Sequence, residues 1–390
     1  MQRIRPRIRP SMLLAGLLPA FVLTGSASAA VALLPAGSAA GSSTRAQPAA
    51  AIASGVRILA SRHYGAPGNA SGFSVVVAAG RGTTWALGGT NPGGLSSPVA
   101  ARWNGRRLIQ ARLPAGLSGF LSDASAPAPD DIWAASRYGG YVLHWDGTSW
   151  SLSRRWAAGE ITGLAAISAT DVWVFGTTVN GSTGTGTWHF NGRSWSQDAA
   201  GVSPDLYRAS AISRRDIWAI ATSGGGDFIA RYDGRAWRRV NTGSILAGVQ
   251  LSDILAISGH DVWAVGNSET RQGTIRLVLV RYNGTRWARV PTRLQAWAGR
   301  LAPGPRGRVL LTATPAHADA GGLILEASAA GWRPAVLVKS DLGCGVSDAT
   351  LVRGTRAVLA SGGILTRVGG NAIVWVQPAA RNRHRADGDA

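Results

Sequence analysis

The chain has 390 residues, and its 40 lysine and arginine residues against 20 aspartates and glutamates give a formal net charge of +20. The lone cysteine, Cys344, excludes an internal disulfide and is interpreted as a small buried hydrophobe rather than a reactive thiol. Six dispersed histidines without an HExxH motif give no metal-site signature, and only three glutamates are present for paired-carboxylate chemistry. We therefore expect no metal and no cofactor.

Residues 1–29 have the pattern of a secretory signal peptide. Four arginines precede an apolar run that starts at Met12, and an A-x-A cleavage site ends at Ala29. The apolar run, of about twelve to fourteen residues, is too short to span a bilayer and contains Pro19. The sequence therefore predicts a secreted, extracellular protein that is cleaved near Ala29 and has no transmembrane segment in its mature part.

Two weakly patterned segments flank the main domain, which is predicted over residues 55–378. Residues 30–54 are rich in Ala, Ser, Gly and Pro and are predicted to be flexible, and residues 379–390 are predicted to be a disordered basic tail. A short β run covers residues 56–59. Its place stays open: it could complete the last repeat of the domain, or all seven repeats could supply four strands without it.

The main domain is built from repeats, which are clearest over residues 252–290. That stretch predicts four short strands separated by turns, and its third turn contains the hairpin signal Asn283-Gly284. The second-strand element recurs as DIWAAS, DVWVFG, DIWAIA and DVWAVG, spaced 40, 45 and 45 residues apart. The third-turn element recurs as WDGTSW, FNGRSW, YDGRAW and YNGTRW. Weaker copies flank these four.

We count seven repeat units, at about 71–112, 119–155, 161–199, 206–242, 250–292, 298–338 and 345–378. Units of about 40 residues with four strands each are typical of propeller blades. The sequence thus predicts an all-β, seven-bladed β-propeller with four antiparallel strands per blade. Most tryptophans, and the aspartate that begins each DVW or DIW element, are interpreted as packing and turn residues.

The repeated S-x-x-D-V-W-A-V-G and [YW]-[ND]-G-x-x-W elements resemble those of secreted actinobacterial β-propellers, which are grouped with kelch and galactose-oxidase central-domain propellers. The resemblance is strong over about four units and weak over three. It implies a fold and export but no common activity. The copper chemistry of galactose oxidase needs a cysteine–tyrosine crosslink and histidine ligands, and this sequence does not supply that pattern.

The basic composition favours acidic partners. Without the four arginines of the leader, the mature chain keeps a net charge of about +16. A solvated arginine-rich surface is the alternative interpretation. The expected partner is an acidic glycan, a cell-wall polymer or a surface protein. Nucleic acid is not expected for an exported chain, and we expect a monomer.

The ligand face of the predicted ring follows from loop lengths. Turns after the first and third strands are short and regular, whereas loops after the second strand and the links between blades are long and irregular, and these lie on the other face. That second face is predicted to bind. Its candidate contact residues are Arg137, Tyr138, Tyr141, Trp156, Glu160, Asn180, Tyr207, Asp227, Glu269, Arg271 and Trp297.

Two functional hypotheses remain. The first is a non-catalytic extracellular binding or scaffold propeller. The second is a propeller hydrolase or lyase acting on an extracellular polysaccharide, which should bring unmatched ionisable groups together at the channel mouth. Because acidic residues outside the repeat positions are few, the sequence favours the binding protein and predicts no catalytic residue.

Overall fold

The computed structural model describes residues 57–66, 68–80, 83–91, 96–157, 159–177, 185–198, 206–292, 294–316, 321–328, 331–338, 344–366 and 369–377. The predicted signal peptide, flexible segment and basic tail lie outside these residues. In the described part, one 3₁₀ turn at Pro305–Gly307 is the sole helical element, and no helix is long and apolar enough to cross a membrane.

The strands form seven four-stranded antiparallel sheets arranged as the blades of a propeller. The first strand of the domain is β1 (Arg57–Arg62), and each of blades one to three consists of the next four consecutive strands: β2 (Ala70–Gly80), β3 (Thr83–Asn91), β4 (Ser97–Trp103), β5 (Leu108–Gln110); β6 (Leu121–Ala128), β7 (Asp131–Ser136), β8 (Tyr141–Trp145), β9 (Trp150–Arg155); β10 (Glu160–Ser168), β11 (Asp171–Thr177), β12 (Thr187–Phe190), β13 (Trp195–Asp198).

Blades four to six follow the same plan: β14 (Leu206–Ser213), β15 (Asp216–Ser223), β16 (Gly226–Tyr232), β17 (Trp237–Arg239); β18 (Val249–Ser258), β19 (Asp261–Glu269), β20 (Ile275–Tyr282), β21 (Trp287–Val290); β22 (Ala296–Pro303), β23 (Val309–Pro315), β24 (Gly322–Ser328), β25 (Gly331–Val338). Blade seven contains β26 (Cys344–Leu351), β27 (Val358–Thr366) and β28 (Gly369–Gln377). The predicted fold class is confirmed.

The first strand of the domain closes the ring. β1 (Arg57–Arg62) pairs antiparallel with β28 and is the outermost strand of blade seven, in the order β1-β28-β27-β26. The expectation that unit seven could supply four strands is therefore wrong, since its sequence supplies three. The run near residues 56–59 completes the last blade, which covers a sheet edge that would otherwise be open.

The two repeated sequence elements are the two sides of one contact between blades. Trp133 of β7 packs against Phe190 and Trp195, which flank the third turn of the next blade, at ring-centroid distances of 5.6 and 6.2 Å. The same contact recurs in three neighbouring pairs: Trp85 with Trp145 and Trp150, Trp173 with Tyr232 and Trp237, and Trp218 with Tyr282 and Trp287. The tryptophans of the repeats are thus packing residues, as predicted.

The aspartate of each second-strand element pairs with a basic residue on the third strand. Asp131 Oδ1 accepts hydrogen bonds from Trp133 Nε1 and contacts His144 Nε2, each at 2.9 Å, and His144 stacks on Trp133 at 4.2 Å. Blade three repeats the pairing with histidine, and blades four and five repeat it with arginine: Asp171 with His189, Asp216 with Arg231, and Asp261 with Arg281. The histidines at these positions hold repeat contacts and are not grouped as metal ligands.

The third turns are four-residue loops held by an Asx side chain. Asn283 Oδ1 accepts the backbone N–H groups of Thr285 and Arg286 at 3.1 and 3.0 Å, and Gly284 has a φ of 93°. A positive φ at this position is favourable only for glycine, which explains the recurrent [ND]-G pair. Asp146 makes the same bonds in blade two, and they hold the pKa of its carboxyl well below the usual range.

Deletion of β1 tests how the ring is closed. We expect a chain that starts after Arg62 to lose on the order of 3 kcal/mol or more of unfolding free energy relative to one that starts at residue 55, because several ladder hydrogen bonds are lost. Urea denaturation followed by tryptophan fluorescence measures the difference. Coincident unfolding curves for the two chains would contradict closure by β1.

Replacement of a repeat aspartate tests the second-strand contact. Asp131→Ala should lower the unfolding free energy by about 1–3 kcal/mol, because the buried Trp133 N–H loses its acceptor. The matched control is Asp130→Ala, since Asp130 is adjacent in sequence but exposed, and we expect a change below about 0.5 kcal/mol. Equal effects of the two substitutions in urea denaturation would show that the contact does not stabilise the blade.

Candidate functional site

The innermost strand of every blade carries a β-bulge at the same level of the ring. The register of β2, β6, β10, β14, β18, β22 and β26 shifts next to residues 74, 122, 162, 208, 252, 299–300 and 347. The bulge residues include serine or threonine in five blades, whereas blades four and six place Arg208 and Arg300 there. Arg208 has a φ of 51°, a conformation that costs a non-glycine residue free energy and often marks a functional position.

The two arginines meet at one carboxylate. Asp123 Oδ2 accepts a hydrogen bond from Arg208 Nη1 and Asp123 Oδ1 accepts one from Arg300 Nη1, each at 3.0 Å. Arg300 also donates from Nη2 to the carbonyl oxygen of Ser122 at 2.7 Å. These residues come from blades two, four and six, which are not neighbours in the ring, so the contacts cross the central channel.

Three aspartates of this region also link adjacent blades. Asp123 Oδ2 accepts the N–H of Leu164 at 3.0 Å, and Asp253 Oδ2 accepts the N–H of Leu301 at 2.7 Å. Asp348 Oδ2 accepts the N–H of Val76 at 3.0 Å, across the junction of blades seven and one. Each carboxylate therefore satisfies an amide of the next innermost strand, which is a structural role. We call Asp123, Arg208, Asp253, Arg300 and Asp348 the channel network.

Burial and mutual charge shift the pKa values of the channel network. Burial raises the pKa of Asp348 to about 6, although Arg300 opposes the shift, and burial also raises the pKa of Asp253. Burial lowers the pKa of Arg208 to about 10, with Arg300 adding to the effect. Burial alone would lower the pKa of Arg300, but the charges of Asp123, Asp253 and Asp348 hold it above its usual value. Both arginines remain protonated at neutral pH.

A cavity of about 190 Å³ lies at the channel mouth, above the channel network. It opens on the face of the loops after the second strands and of the links between blades, which is the predicted ligand face. Among the described residues that line it, the charged ones are Arg137, Arg208 and Arg300. Its other walls combine small, hydroxyl-bearing and apolar residues from several blades, including Gly72, Ser74, Thr90, Phe120, Ser122, Val346, Ser347 and Ile364.

The rim of this cavity carries an exposed aromatic residue and an ion pair. Arg137 Nε donates to Glu160 Oε2 at 2.5 Å, and the Arg137 guanidinium lies 5.3 Å from the Tyr138 ring centroid. Tyr138, which is 51% exposed, packs edge-on against Phe120 at 5.7 Å. Three of the predicted contact residues, Arg137, Tyr138 and Glu160, thus lie together at the rim.

Four other predicted contact residues are packed within the ring. Tyr141 is fully buried, and burial raises the pKa of its hydroxyl to about 12. Trp156 is half-buried against Trp188 at 5.8 Å. Burial raises the pKa of Tyr207 far above its usual range, and the charge of the adjacent Asp227 adds to the shift. Asp227 Oδ2 accepts the N–H of Leu251 at 2.8 Å.

The remaining predicted residues lie apart from the cavity. Glu269 and Arg271 are exposed at the hairpin between β19 and β20, and Trp297 is 39% exposed at the start of β22. Asn180 lies outside the described residues. In the ranges that the structure describes, no group of three or more His, Cys, Asp or Glu residues could hold a metal ion.

Sequence reasoning did not identify the channel network. A signal was present, because arginine replaces serine or threonine at residues 208 and 300 when the innermost strands are aligned by their bulges. However, the bulges themselves are not visible in the sequence. Unmatched ionisable groups do converge at the channel, but the described cavity lining contains no carboxylate.

The comparisons with known proteins concern the fold. No protein-family model matches the sequence, and no curated protein matches it. The chain is similar to the structure of YCF48 bound to D1 peptide, with 16% identity and a TM-score of 0.53 over 83% of this chain and 100% of that one. YCF48 from Cyanidioschyzon merolae gives 11% identity and a TM-score of 0.52 over 82% and 98%.

A third similar structure is the extracellular domain of BT4673 from B. thetaiotaomicron, with 11% identity and a TM-score of 0.51. The match covers 78% of this chain and only 38% of that one. At these identities the similarity establishes the class of fold, a seven-bladed β-propeller, and nothing about activity.

The raised pKa of Asp348 predicts a pH-dependent stability difference. Because the folded state binds this proton more tightly than an unfolded carboxyl with a pKa of 3.8, its stabilising effect is present below pH 3.8 and is lost as the pH rises through about 6. The stability of the protein relative to Asp348→Asn should therefore fall between pH 3.8 and 6, by up to about 3 kcal/mol. Urea denaturation of both proteins across this range measures it.

A matched comparison is the exposed Asp233, whose pKa is lowered by the N–H groups of Ala236 and Arg235. For Asp233→Asn the trend with pH should have the opposite sign, because a lowered pKa stabilises the folded state at higher pH. A stability difference for Asp348→Asn that stays constant from pH 3.8 to 6.5 would contradict the assignment.

Proposed function

We propose that this protein is an exported, non-catalytic binding propeller whose ligand site is the cavity at the channel mouth and its rim. The observation that carries the proposal is the cavity itself: a concave site on the long-loop face, lined by Arg137, Arg208 and Arg300. Concave sites with a few fixed polar groups are the usual ligand sites of proteins. The signal-peptide pattern of residues 1–29 supports export.

The proposed partner is an extracellular surface protein, with an acidic glycan or a cell-wall polymer as alternatives. Arginines at the cavity and the overall positive charge favour a ligand that carries acidic groups. The YCF48 structure contains a bound peptide, and its fold is similar to this one, which supports a polypeptide partner. The exposed Tyr138 and its partner Phe120 provide an aromatic contact surface beside the cavity.

One observation favours the alternative, a polysaccharide hydrolase or lyase. The Asp348 carboxyl has a pKa of about 6, a value typical of catalytic acids. However, Asp348 Oδ2 accepts the N–H of Val76 and Oδ1 that of Ala349, so both oxygens have backbone donors. Asp348 does not line the cavity either. These contacts favour a structural role for Asp348 and a binding function for the site.

Binding of the mature chain to extracellular material tests the proposal. We expect an immobilised mature chain to retain a surface protein, an acidic glycan or a cell-wall polymer at low salt. The double substitution Arg137→Ala and Tyr138→Ala should weaken retention at least tenfold, because both side chains lie at the rim. The control is Arg235→Gln, an exposed arginine on the third turn of blade four, at the opposite face.

Columns that stay empty at low salt would overturn the proposal, as would binding that the rim substitutions leave unchanged. Release of soluble sugar from a polysaccharide during the incubation would contradict the non-catalytic assignment and favour the hydrolase or lyase.

A further inference from the structure

The cavity at the channel mouth offers hydrogen-bond donors of positive charge. Arg137 donates from Nε to Glu160, and Arg208 donates from Nη1 to Asp123. A guanidinium carries five N–H donors, so both arginines keep donors for a ligand in the cavity that they line. The described lining residues include no carboxylate that would compete for them.

The channel network fixes the Arg208 donors and those of the neighbouring Arg300 in place, whereas Arg137 is held by Glu160. Arg300 is held by Asp123 Oδ1 and by the carbonyl oxygen of Ser122, and Arg208 is held by Asp123 Oδ2. The side chains of Arg208 and Arg300 are 10% and 15% exposed, so their positions are set before any ligand arrives. Arginine geometry matches a carboxylate, which accepts two parallel hydrogen bonds. Preorganised donors lower the cost of binding such a group.

Beside its hydroxyl-bearing residues, the cavity has apolar walls that suit an apolar group. Phe73, Phe120, Val346, Ile364 and Leu365 line the cavity beside the arginines. A cavity of about 150 Å³ holds a benzene molecule, so about 190 Å³ accommodates one side chain of medium size.

Gly72 lies in β2, the innermost strand of blade one, and leaves open space on the side that faces blade two. A Cβ atom built on Gly72 meets no atom within 4 Å, and Gly72 lines the cavity. Its strand partner is Gly89, whose Cβ would point at Phe120. Directly opposed residues of an antiparallel pair point to the same side of the sheet, so the free space at Gly72 faces the same side as Phe120.

We propose that the cavity binds a carboxylate carried on an apolar group about the size of one amino-acid residue. The carboxylate contacts Arg137 and Arg208, and the apolar group lies between Gly72 and Phe120. The ligand is a C-terminal residue of a peptide or a free N-acylated amino acid. The inference rests on the proposed function and names the chemistry that the same site recognises.

The test uses N-acetyl-leucine, its carboxamide, a tetrapeptide that ends in leucine, and glucuronate, each titrated into the mature chain by calorimetry. A ligand of this size is expected to bind with a Kd on the order of 1 mM. We expect N-acetyl-leucine to bind at least tenfold more tightly than its carboxamide and than glucuronate. A tetrapeptide that binds more tightly than N-acetyl-leucine identifies the peptide as the source of the carboxylate, and equal or weaker binding identifies the free acid.

Two variants and two matched controls locate the binding. Arg137→Gln removes a charged donor at the rim, and Gly72→Val fills the space in which a Cβ atom meets no other atom within 4 Å; each should weaken the binding of N-acetyl-leucine at least tenfold. Arg235→Gln and Gly224→Val should leave the Kd unchanged, because Arg235 is on the other face and Gly224, whose Cβ would also be free, does not line the cavity. Unfolding curves of all variants establish that they are folded.

Equal binding of the acid and its carboxamide, equal binding of glucuronate, or full affinity of Gly72→Val would overturn the inference. Retention of extracellular material by the same mature chain distinguishes the two proposals. If retention persists while N-acetyl-leucine does not bind, the carboxylate inference fails and the binding function stands. If retention is absent, the binding function itself fails.

Discussion

Closure of the ring is the constraint on which the rest of the structure depends. Each sheet is apolar on both faces and needs a neighbour on either side, and a circular arrangement provides one for all seven blades. Since β1 (Arg57–Arg62) pairs with β28, the start of the domain is hydrogen-bonded to its end. The innermost strands must then surround one axis. As a result, residues of blades two, four and six, which are distant in sequence, come within hydrogen-bond distance.

The contacts between blades repeat where the sequence repeats. The tryptophan of one second strand packs on the aromatic pair of the next third turn, so the two sequence elements are conserved within the chain as partners. Blade six departs from the repeat at two positions. Leu310 stands where other blades have the second-strand tryptophan, and it faces Glu326 across β23 and β24. Arg308 pairs with Glu326 at 2.9 Å, so the base precedes the second strand and the acid lies on the third, which is the reverse of the aspartate–arginine pairs in blades four and five.

Charged groups at the centre of the ring are buried, so they lose more hydration free energy than the exposed charged groups at its periphery. Buried charges lose hydration, and they are tolerated when ion pairs and hydrogen bonds replace it. Asp123 receives two arginines and the N–H groups of Leu164 and Ala124, which satisfies both of its oxygens. The same contacts hold the Arg208 and Arg300 side chains beneath the cavity. A network that stabilises the inner strands therefore also positions the donors of the proposed site.

The sequence by itself determined the four-stranded blade, the blade number and the role of most tryptophans, because these depend on local patterns that recur along the chain, but it left open where blade seven obtains its fourth strand. It also placed Arg137, Tyr138 and Glu160 on one face, since loop length alone distinguishes the two faces. It did not identify the channel network or the burial of Tyr141. Those depend on bulges that turn single residues toward the axis and on contacts between Asp123 and Arg300, 177 residues apart. Only the closed ring brings such residues together, because they lie on innermost strands of different blades that are far apart in the sequence.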